Sequence, residues 1–379
     1  MKPGYHAYVP LERVIWGEAA AEAVSREADR LGARRVMIVA SGTLSRKTPA
    51  IAAVRDALGE RYVGLFDACG EHSPLESILD CAGVAREAKP DLIVTIGGGS
   101  PIDAVKIVLL CLTHDIHDRE GLLAIANKPT SQPATIRQII VPTTLSAGEY
   151  SNAAGGTDTQ RKTKDMYIGP DLCARAIILD PQISLHTPLW LWLSTAIRSV
   201  DHAVESYCST APNPLVEAGA LRALTLFDRS LRRTKADESD LNARLESQTA
   251  VWLTACGLGR VPMGASHGIG YVLGTVGRVP HGYTSCVMLP AVMRWNEPVT
   301  AERQRDIATA LGRPDDSAAH AVASLIADLG LPRTLGEVGI HEDQLPEIAE
   351  RALVNPVVRA NPRPIRTVED VMEILRLAM

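Results

Sequence analysis

The stretch DLIVTIGGGSPIDAVK, residues 91–106, joins an apolar run to a glycine-rich turn and a helical pattern. Its first six residues are mostly apolar and β-branched, which is typical of a parallel strand buried on both faces. The glycines Gly97–Gly99 allow a ligand to approach the backbone closely. Ser100 can cap the following helix or donate to a phosphate, and Pro101 favours the first helical position.

The helix expected after this turn presents free N–H groups and the positive end of a dipole, which suits a pyrophosphate. In open α/β sheets, ligands bind at the carboxyl ends of strands, where this turn lies. A second polar loop, VPTTLSAGEYSN at residues 141–152, also follows a strand and offers the hydroxyls of Thr143, Thr144 and Ser146. Each loop alone could be a simple connection, but the two together predict a nucleotide site.

Outward from this loop, the first half of the chain alternates between apolar, β-branched runs and amphipathic helical patterns. Such alternation predicts a mostly parallel sheet with helices on both faces. The other predicted strands are RRVMIVAS (34–41), RYVGLF (61–66), TIRQIIVP (135–142) and ARAIILDP (174–181).

The alternation stops near Pro181, and long amphipathic helical patterns follow with almost no strand pattern. A chain of 379 residues is long enough for two domains. We therefore expect an α/β dinucleotide-binding domain over residues 1–182 and an all-α domain over residues 183–379.

The composition excludes several classes of protein. The net charge of −5 gives no basic surface for nucleic acid and no polybasic patch for a membrane. No apolar run reaches membrane-spanning length, and the N-terminal sequence lacks the apolar core of a signal peptide. The seven cysteines include no CxxC pair, which disfavours a cysteine-based zinc site and fits a reducing compartment. We therefore expect a cytoplasmic protein that acts on a small molecule.

A second candidate site lies in the helical half. RSVDHAVESY, residues 198–207, is typical of one helix, on which Arg198 and His202 share a face. Farther on, His267 and His281 occur in a glycine-rich stretch. Three histidines on such segments suggest a metal site, yet an arginine, which cannot bind a cation, shares the same space.

Five motifs now stand in order along the chain: GGGSPIDAVK, PTTLSAGE, DHAVESY, GASHGIG followed by PHG, and NPRP at residues 361–364. With these motifs the chain resembles the iron-containing (group III) alcohol dehydrogenase superfamily. The resemblance implies the dehydroquinate synthase-like fold, with an N-terminal dinucleotide-binding domain, a helical C-terminal domain and the active site between them. It also implies an NAD(P)H cofactor and a homodimer.

Within that superfamily the chain resembles the maleylacetate reductases in particular. PTTLSAGE is one residue shorter than the usual alcohol dehydrogenase loop, as in those enzymes, and QRKT at residues 160–163 looks like their GRKT. Metal-dependent members carry an aspartate where Arg198 stands, and maleylacetate reductases usually carry asparagine. Both groups usually have a histidine where Tyr271 stands. The resemblance thus implies an enzyme of aromatic compound catabolism, with two departures at its site.

Carried over residue by residue, the resemblance implies two sets of site residues. The catalytic set is Arg198, His202, His267, His281 and Tyr271. The cofactor set is Ser41, Gly97, Gly98, Gly99, Ser100, Asp103, Thr143, Thr144, Ser146 and Lys164, with Lys162 as the alternative to Lys164. Ser41 stands where NAD-preferring relatives have an aspartate, and Arg46 and Lys47 follow it, so we expect NADPH to be tolerated as well as NADH.

Arg198 disfavours, without excluding, a divalent iron or zinc ion at the three histidines. A guanidinium in place of a carboxylate changes the formal charge by about two units, and arginine cannot lose its proton. Asp201 is expected to point about 100° away from His202 around the helix, so we do not expect it to replace the missing ligand. Arg198 can instead bind a substrate carboxylate, or form a structural ion pair with Asp201 or Glu205.

The leading hypothesis is an NAD(P)H-dependent reductase of the maleylacetate type. It delivers a hydride to a carboxylated oxo-compound without a metal, while a histidine supplies the proton. The first alternative is an iron- or zinc-dependent alcohol or aldehyde dehydrogenase that uses the three histidines. The second is an NAD-using lyase similar to sugar-phosphate cyclases, which share the two-domain plan but give no net turnover of the cofactor.

Overall fold

The computed structural model describes residues 3–211 and 213–379. The chain divides into two compact units. One is Tyr8–Thr187, and the other joins Pro188–Met379 to the segment that ends at Ala7. The sequence analysis placed the boundary a few residues earlier and assigned the whole N-terminal segment to the first domain.

The first unit contains all the strands of the described chain, two of which form a separate antiparallel hairpin. In chain order they are β1 (Arg13–Trp16), β2 (Val36–Ala40), β3 (Tyr62–Phe66), β4 (Leu92–Gly97), β5 (Arg137–Pro142), β6 (Ala153–Asp158), β7 (Thr163–Ile168) and β8 (Ala176–Leu179). The sheet has the order β1-β8-β5-β4-β2-β3, and every neighbouring pair is parallel. The predicted parallel sheet is confirmed, whereas β1 and the β6–β7 hairpin were not predicted.

Helices cover both faces of this sheet. They are α1 (Ala20–Arg30), α2 (Gly42–Lys47), α3 (Ala50–Leu58), α4 (Leu75–Ala88), α5 (Gly99–Thr113) and α6 (Arg119–Ile125). Along β2, Val36 and Ile38 pack into a core with α1 and α3, whereas Met37 and Val39 pack into a core with α4 and α5. Successive side chains of a strand point to opposite faces, so burial on both sides requires the unbroken apolar run.

The helix after the glycine-rich turn begins earlier than the sequence predicted. α5 starts at Gly99, and Gly98 is its N-cap residue, so Pro101 is not the first helical residue. Ser100 lies inside the first turn and does not cap the helix; its hydroxyl accepts the backbone N–H of His72 at 3.0 Å. No side chain of the described chain caps α5, so its first N–H groups can face a ligand.

The second unit is helical, and none of its described residues forms a strand. Its helices are α7 (Leu189–Tyr207), α8 (Pro214–Ala236), α9 (Leu241–Thr254), α10 (Ala265–Val276), α11 (His281–Ala310), α12 (Ala318–Asp328), α13 (Leu345–Leu353), α14 (Pro356–Arg359) and α15 (Val368–Arg376). α7 packs against α8, α10 and α11 and is buried over most of its length. Thr367 caps α15. Among the described helices, none combines the length and the apolar character needed to cross a membrane.

Candidate functional site

The two polar loops of the first unit lie against each other. A Cβ added at Gly98 would lie 2.9 Å from the methyl carbon of Thr144, and one at Gly99 would lie 3.3 Å from the hydroxyl oxygen of Ser146. The backbone N–H of Thr143 donates to the carbonyl of Gly97 at 2.9 Å. Only glycine fits these close approaches, so the two loops form one cradle at the start of α5.

This cradle fits a dinucleotide phosphate. The hydroxyl oxygens of Thr144 and Ser146 lie 3.2 Å apart beside the uncapped N-terminus of α5. Backbone N–H groups, hydroxyls and a helix N-terminus are the donors that phosphates use in proteins. Ser41 borders the cradle, because its backbone N–H donates to the carbonyl of Ile96 at 3.1 Å, and its own hydroxyl caps α2.

Lys164, rather than Lys162, lies near the cradle. The side chain of Lys164 passes over Gly155 and occupies the space that a Cβ there would need. The N–H of Gly155 donates to Oδ2 of Asp103 on α5 at 3.0 Å, so Asp103 and Lys164 meet at this glycine. Burial, and then the charge of Lys164, lower the pKa of His72, whose N–H binds Ser100. Lys162 lies in the exposed turn of the hairpin.

The second candidate site lies wholly within the helical unit. α7 carries Arg198, Asp201, His202 and Glu205, whose spacings of three and four residues place them on neighbouring parts of one helix face. α10 carries His267 and Tyr271, and α11 carries His281 and Ser285. All five predicted catalytic residues therefore come from three helices of one unit.

Arg198 is buried and ion-paired. Its Nη1 donates to the hydroxyl of Ser285 at 3.0 Å and lies 3.8 Å from Oδ2 of Asp201. The guanidinium carbon lies 5.4 Å from the ring centre of Tyr271, within range of a cation–π contact. Of the two roles predicted for Arg198, the structure shows the ion pair with Asp201, which is three residues away and shares its side of the helix.

Glu205 does not pair with Arg198 and instead holds His267. Nδ1 of His267 donates to Oε2 of Glu205 at 2.7 Å and lies 3.5 Å from Oδ1 of Asp201. Oδ2 of Asp201 accepts the hydroxyls of Ser266 and Ser285, both at 2.7 Å. With its Nδ1 proton held by carboxylates, His267 keeps Nε2 free, and that atom has no partner among the described residues.

The two stacked histidines have opposite pKa shifts. Burial and the charge of Arg198 lower the pKa of His267, but the carboxylates of Asp201 and Glu205 outweigh both, so the pKa of His267 is raised. Burial, His267 and Arg198 together hold the pKa of His202 well below its usual value. The rings lie 4.7 Å apart at an angle of 27°. The ring whose protonated form is favoured thus lies beside one whose neutral form is favoured, an arrangement typical of acid–base catalysis.

Tyr271 and His281 complete the group. Their rings stack with centres 5.8 Å apart, and Tyr271 is 37% exposed while His281 is half-buried at the start of α11. Tyr271 therefore lies between Arg198 and His281 and forms the accessible edge of the cluster.

In the described structure these residues are arranged for hydrogen bonds rather than around a shared cation. Among the described residues, only Asp201, Glu205 and His267 bring one ligand atom each within 4.8 Å of one another, and the three predicted histidines do not. Two ligands on a tetrahedral ion with bonds of 2.0–2.2 Å would lie about 3.4 Å apart. The 2.7 Å between Glu205 and His267 is a hydrogen-bond distance, and Arg198 adds a fixed positive charge beside Asp201.

Two family descriptions match consecutive parts of the chain. "Iron-containing alcohol dehydrogenase" matches residues 11–181, and "Fe-containing alcohol dehydrogenase family, C-terminal" matches residues 193–379. Dehydrogenase ALT3 of Alternaria alternata is 36% identical over 92% of this chain and 99% of its own length. A maleylacetate reductase of Sphingobium indicum is 28% identical over 98% of this chain and 97% of its own length.

Solved structures agree with this result. The crystal structure of a 1,3-propanediol oxidoreductase has a TM-score of 0.91 and 27% identity, and covers 99% of this chain and 100% of its own. The resemblance that the five motifs predicted is confirmed, and so is the fold it implied. The chain belongs to the iron-containing alcohol dehydrogenase family of oxidoreductases.

Proposed function

We propose that this protein is an NAD(P)H-dependent reductase that acts on a carboxylated oxo-compound and uses no metal. The observation that carries the proposal is Arg198, ion-paired with Asp201, beside His202 and His267, whose pKa values shift in opposite directions. The relative named maleylacetate reductase supports a substrate of this class, because maleylacetate is an oxo-acid.

The cofactor binds at the cradle of the first unit. Gly98 and Gly99 leave space that a Cβ would fill, and the hydroxyls of Thr144 and Ser146 line it beside the start of α5. When bound, the reduced nicotinamide supplies the hydride for the carbonyl carbon. Lys164 contributes a positive charge near this loop, which favours an anionic cofactor.

His267 supplies the proton that the carbonyl oxygen takes up. Glu205 fixes Nδ1 as a donor, so the proton for the substrate is carried by Nε2, which has no partner in the described part of the chain. The carboxylates of Asp201 and Glu205 raise the pKa of the ring and so favour its protonated form. His202, whose neutral form is favoured, stacks on His267 and so adds no second positive charge beside it.

Arg198 binds the substrate carboxylate. Within the described chain, Nη1 is the one guanidinium nitrogen of Arg198 that makes a hydrogen bond, so Nε and Nη2 keep their donors. A guanidinium binds a carboxylate through two parallel hydrogen bonds, and the ion pair with Asp201 holds it in a fixed orientation.

The test is a spectrophotometric assay of NADH and NADPH oxidation. The substrates compared are maleylacetate, other oxo-acids, the methyl esters of these acids and simple aldehydes. Each is assayed with enzyme that has been treated with a chelator. We expect net cofactor oxidation with the acids and at least about tenfold lower kcat/KM for the matched esters. Equal rates with esters would remove the carboxylate from the proposal. Activity with aldehydes that requires added iron or zinc would favour the metal-dependent dehydrogenase. Conversion of a substrate without net cofactor oxidation would favour the lyase.

A further inference from the structure

The carboxyl ends of β2 and β4 border a crevice of the parallel sheet. β2 leads to α3, which packs with α1 on one face, whereas β4 leads to α5 on the other face. The strand order reverses at this pair of neighbours, which is where open α/β sheets bind their ligands. Ser41, directly after β2, lies on this border, since a Cβ at Gly97 would be 3.5 Å from its Cβ.

Beyond Ser41, the same border of the crevice carries an ion pair between Arg46 and Asp67. Nε of Arg46 donates to Oδ2 of Asp67 at 3.2 Å, and Nη2 donates to Oδ1 at 3.3 Å and to the carbonyl at 3.2 Å. The guanidinium lies over Gly42, where a Cβ would be 3.3 Å from Nη2. Three hydrogen bonds to one residue therefore fix Arg46 over Gly42, which follows Ser41 in the chain.

The pair leaves one side of the guanidinium available. The Arg46 side chain is 64% exposed, and within the described chain its Nη1 makes no hydrogen bond. Lys47 is exposed next to it. A cationic group that is held in place but open to solvent is suited to an anion that arrives with a ligand.

The Ser41 hydroxyl cannot replace a carboxylate as the acceptor for a ribose hydroxyl. Its hydroxyl oxygen accepts the N–H of Leu44 at 3.3 Å and so caps α2. In dinucleotide-binding folds an acidic residue here accepts from the ribose 2′-hydroxyl of NADH, whereas a nearby arginine accommodates the 2′-phosphate of NADPH. We propose that Arg46 selects for the 2′-phosphate of NADPH. The inference rests on the proposed binding of NAD(P)H at the glycine-rich cradle.

The experiment measures dissociation constants by titration of four ligands: NADPH, NADH, 2′,5′-ADP and 5′-ADP. The last two differ only in the 2′-phosphate and need no reaction. Arg46→Ala should weaken NADPH and 2′,5′-ADP by about tenfold or more, because a charge-assisted contact is lost. NADH and 5′-ADP should change by less than about twofold, since they carry no 2′-phosphate.

Two further variants sharpen the comparison. Arg55→Ala removes the same charge from an exposed ion pair with Asp56 on α3 and should change none of the four constants. Arg46→Lys keeps the charge but loses the planar fork, so its preference for NADPH over NADH should lie between wild type and Arg46→Ala. Circular dichroism confirms that each variant is folded.

The outcomes separate this inference from the proposed function. If wild type binds NADH and NADPH but Arg46→Ala leaves their ratio of affinities unchanged, Arg46 is not the selecting residue. Equal weakening of all four ligands would also overturn the inference, because the effect would not depend on the 2′-phosphate. If wild type binds neither nicotinamide cofactor, the proposed reductase itself is wrong.

Discussion

His267 donates its Nδ1 proton to Oε2 of Glu205 at 2.7 Å, and both side chains are buried. The same carboxylate accepts the backbone N–H groups of Gly264 and Ser266, both at 2.8 Å. Glu205 therefore fixes both the start of α10 and the tautomer of the imidazole. Its negative charge also favours the protonated ring, which is the form that the proposed reduction consumes.

Glu205→Gln should move the pH dependence of reduction to lower pH. The amide keeps the shape of the side chain but weakens the hydrogen bond at Nδ1 of His267, which, after the charge of Asp201 and its hydrogen bond, helps to raise the pKa of that ring. The protonated donor is then lost at lower pH, so the alkaline limb of the kcat/KM profile shifts downward. On the alkaline side of the profile, kcat/KM of the variant should be about tenfold or more below that of wild type at the same pH.

The control for this variant is Glu246→Gln, which removes a partly exposed carboxylate that pairs with Arg229 and Arg233 on α8. It should leave the profile in place. A Glu205→Gln enzyme that is slower by the same factor at every pH would show that Glu205 acts through packing and not through the charge on His267.

Arg198→Ala should reduce kcat/KM for an oxo-acid about tenfold or more beyond any reduction in kcat/KM for the matched methyl ester. Removing one partner of a buried ion pair also costs stability, so both substrates are measured per folded molecule. Arg198→Lys should restore part of the acid preference, because the ammonium keeps the charge but not the fork.

Arg244→Ala is a matched control, since Arg244 is a second buried arginine of the helical unit that stacks on Trp192 at 4.9 Å. It should lower stability without changing the ratio of acid to ester rates. If Arg198→Ala lowers both rates equally, the arginine has a structural role only.

The central strands could be predicted because their burial pattern is unambiguous. β2, β4 and β5 are covered on both faces, which leaves largely apolar runs in the sequence. β1 has only four residues, and β6 contains two glycines in AAGGTD, so neither has a pattern typical of a strand. Their pairing is decided by tertiary contacts that no local pattern encodes.

Site residues that belong to sequence motifs could be predicted, whereas contacts that depend on how the helices pack could not. Motifs identified Arg198 and the three histidines. The ion pair of Arg198 with Asp201 was one of the predicted alternatives, because the two residues are three apart on one helix, but the sequence could not decide between Asp201 and Glu205 as the partner. Ser285 on α11 could not be predicted, since its contact with Arg198 depends on how α7 and α11 pack.

Gly98→Ala should abolish or strongly weaken binding of both nicotinamide cofactors. The added Cβ would lie 2.9 Å from the methyl carbon of Thr144 and force apart the two loops of the cradle. Gly83→Ala on α4 is the control, because a Cβ there meets nothing within 4 Å. Fluorescence titration of both variants checks this, and unchanged cofactor affinity in Gly98→Ala would show that the cradle has been misassigned.

Removal of metal should leave activity intact. Arg198 stands where the family's charged ligand would be, and Nδ1 of His267 is occupied by Glu205. Enzyme treated with a strong chelator should therefore keep its kcat and contain far less than stoichiometric metal by mass spectrometry. Loss of activity that iron or zinc restores would refute the metal-free reaction.

Glu149→Gln should reduce the pH dependence of stability. Glu149 is buried in the first unit, and its Oε2 has no hydrogen-bond partner among the described residues. Burial raises the pKa of this carboxyl from 4.5 to about 7, although a backbone hydrogen bond and Lys106 oppose the shift. The folded state thus binds the proton more tightly than the unfolded state. Its stabilisation is complete below the unfolded pKa and is lost as pH rises through the folded one.

A shift of this size corresponds to about 3 kcal/mol, since one pKa unit is about 1.4 kcal/mol. The amide of Glu149→Gln stays neutral at every pH. Between about pH 5 and pH 8, its free energy of unfolding should therefore fall less than that of wild type, by about 2–3 kcal/mol. Urea denaturation at both pH values measures this difference, and the exposed Glu87→Gln on α4 should behave as wild type. If Glu149→Gln follows the wild-type dependence, Glu149 is already charged in the folded protein at neutral pH, and Lys106 rather than burial controls it.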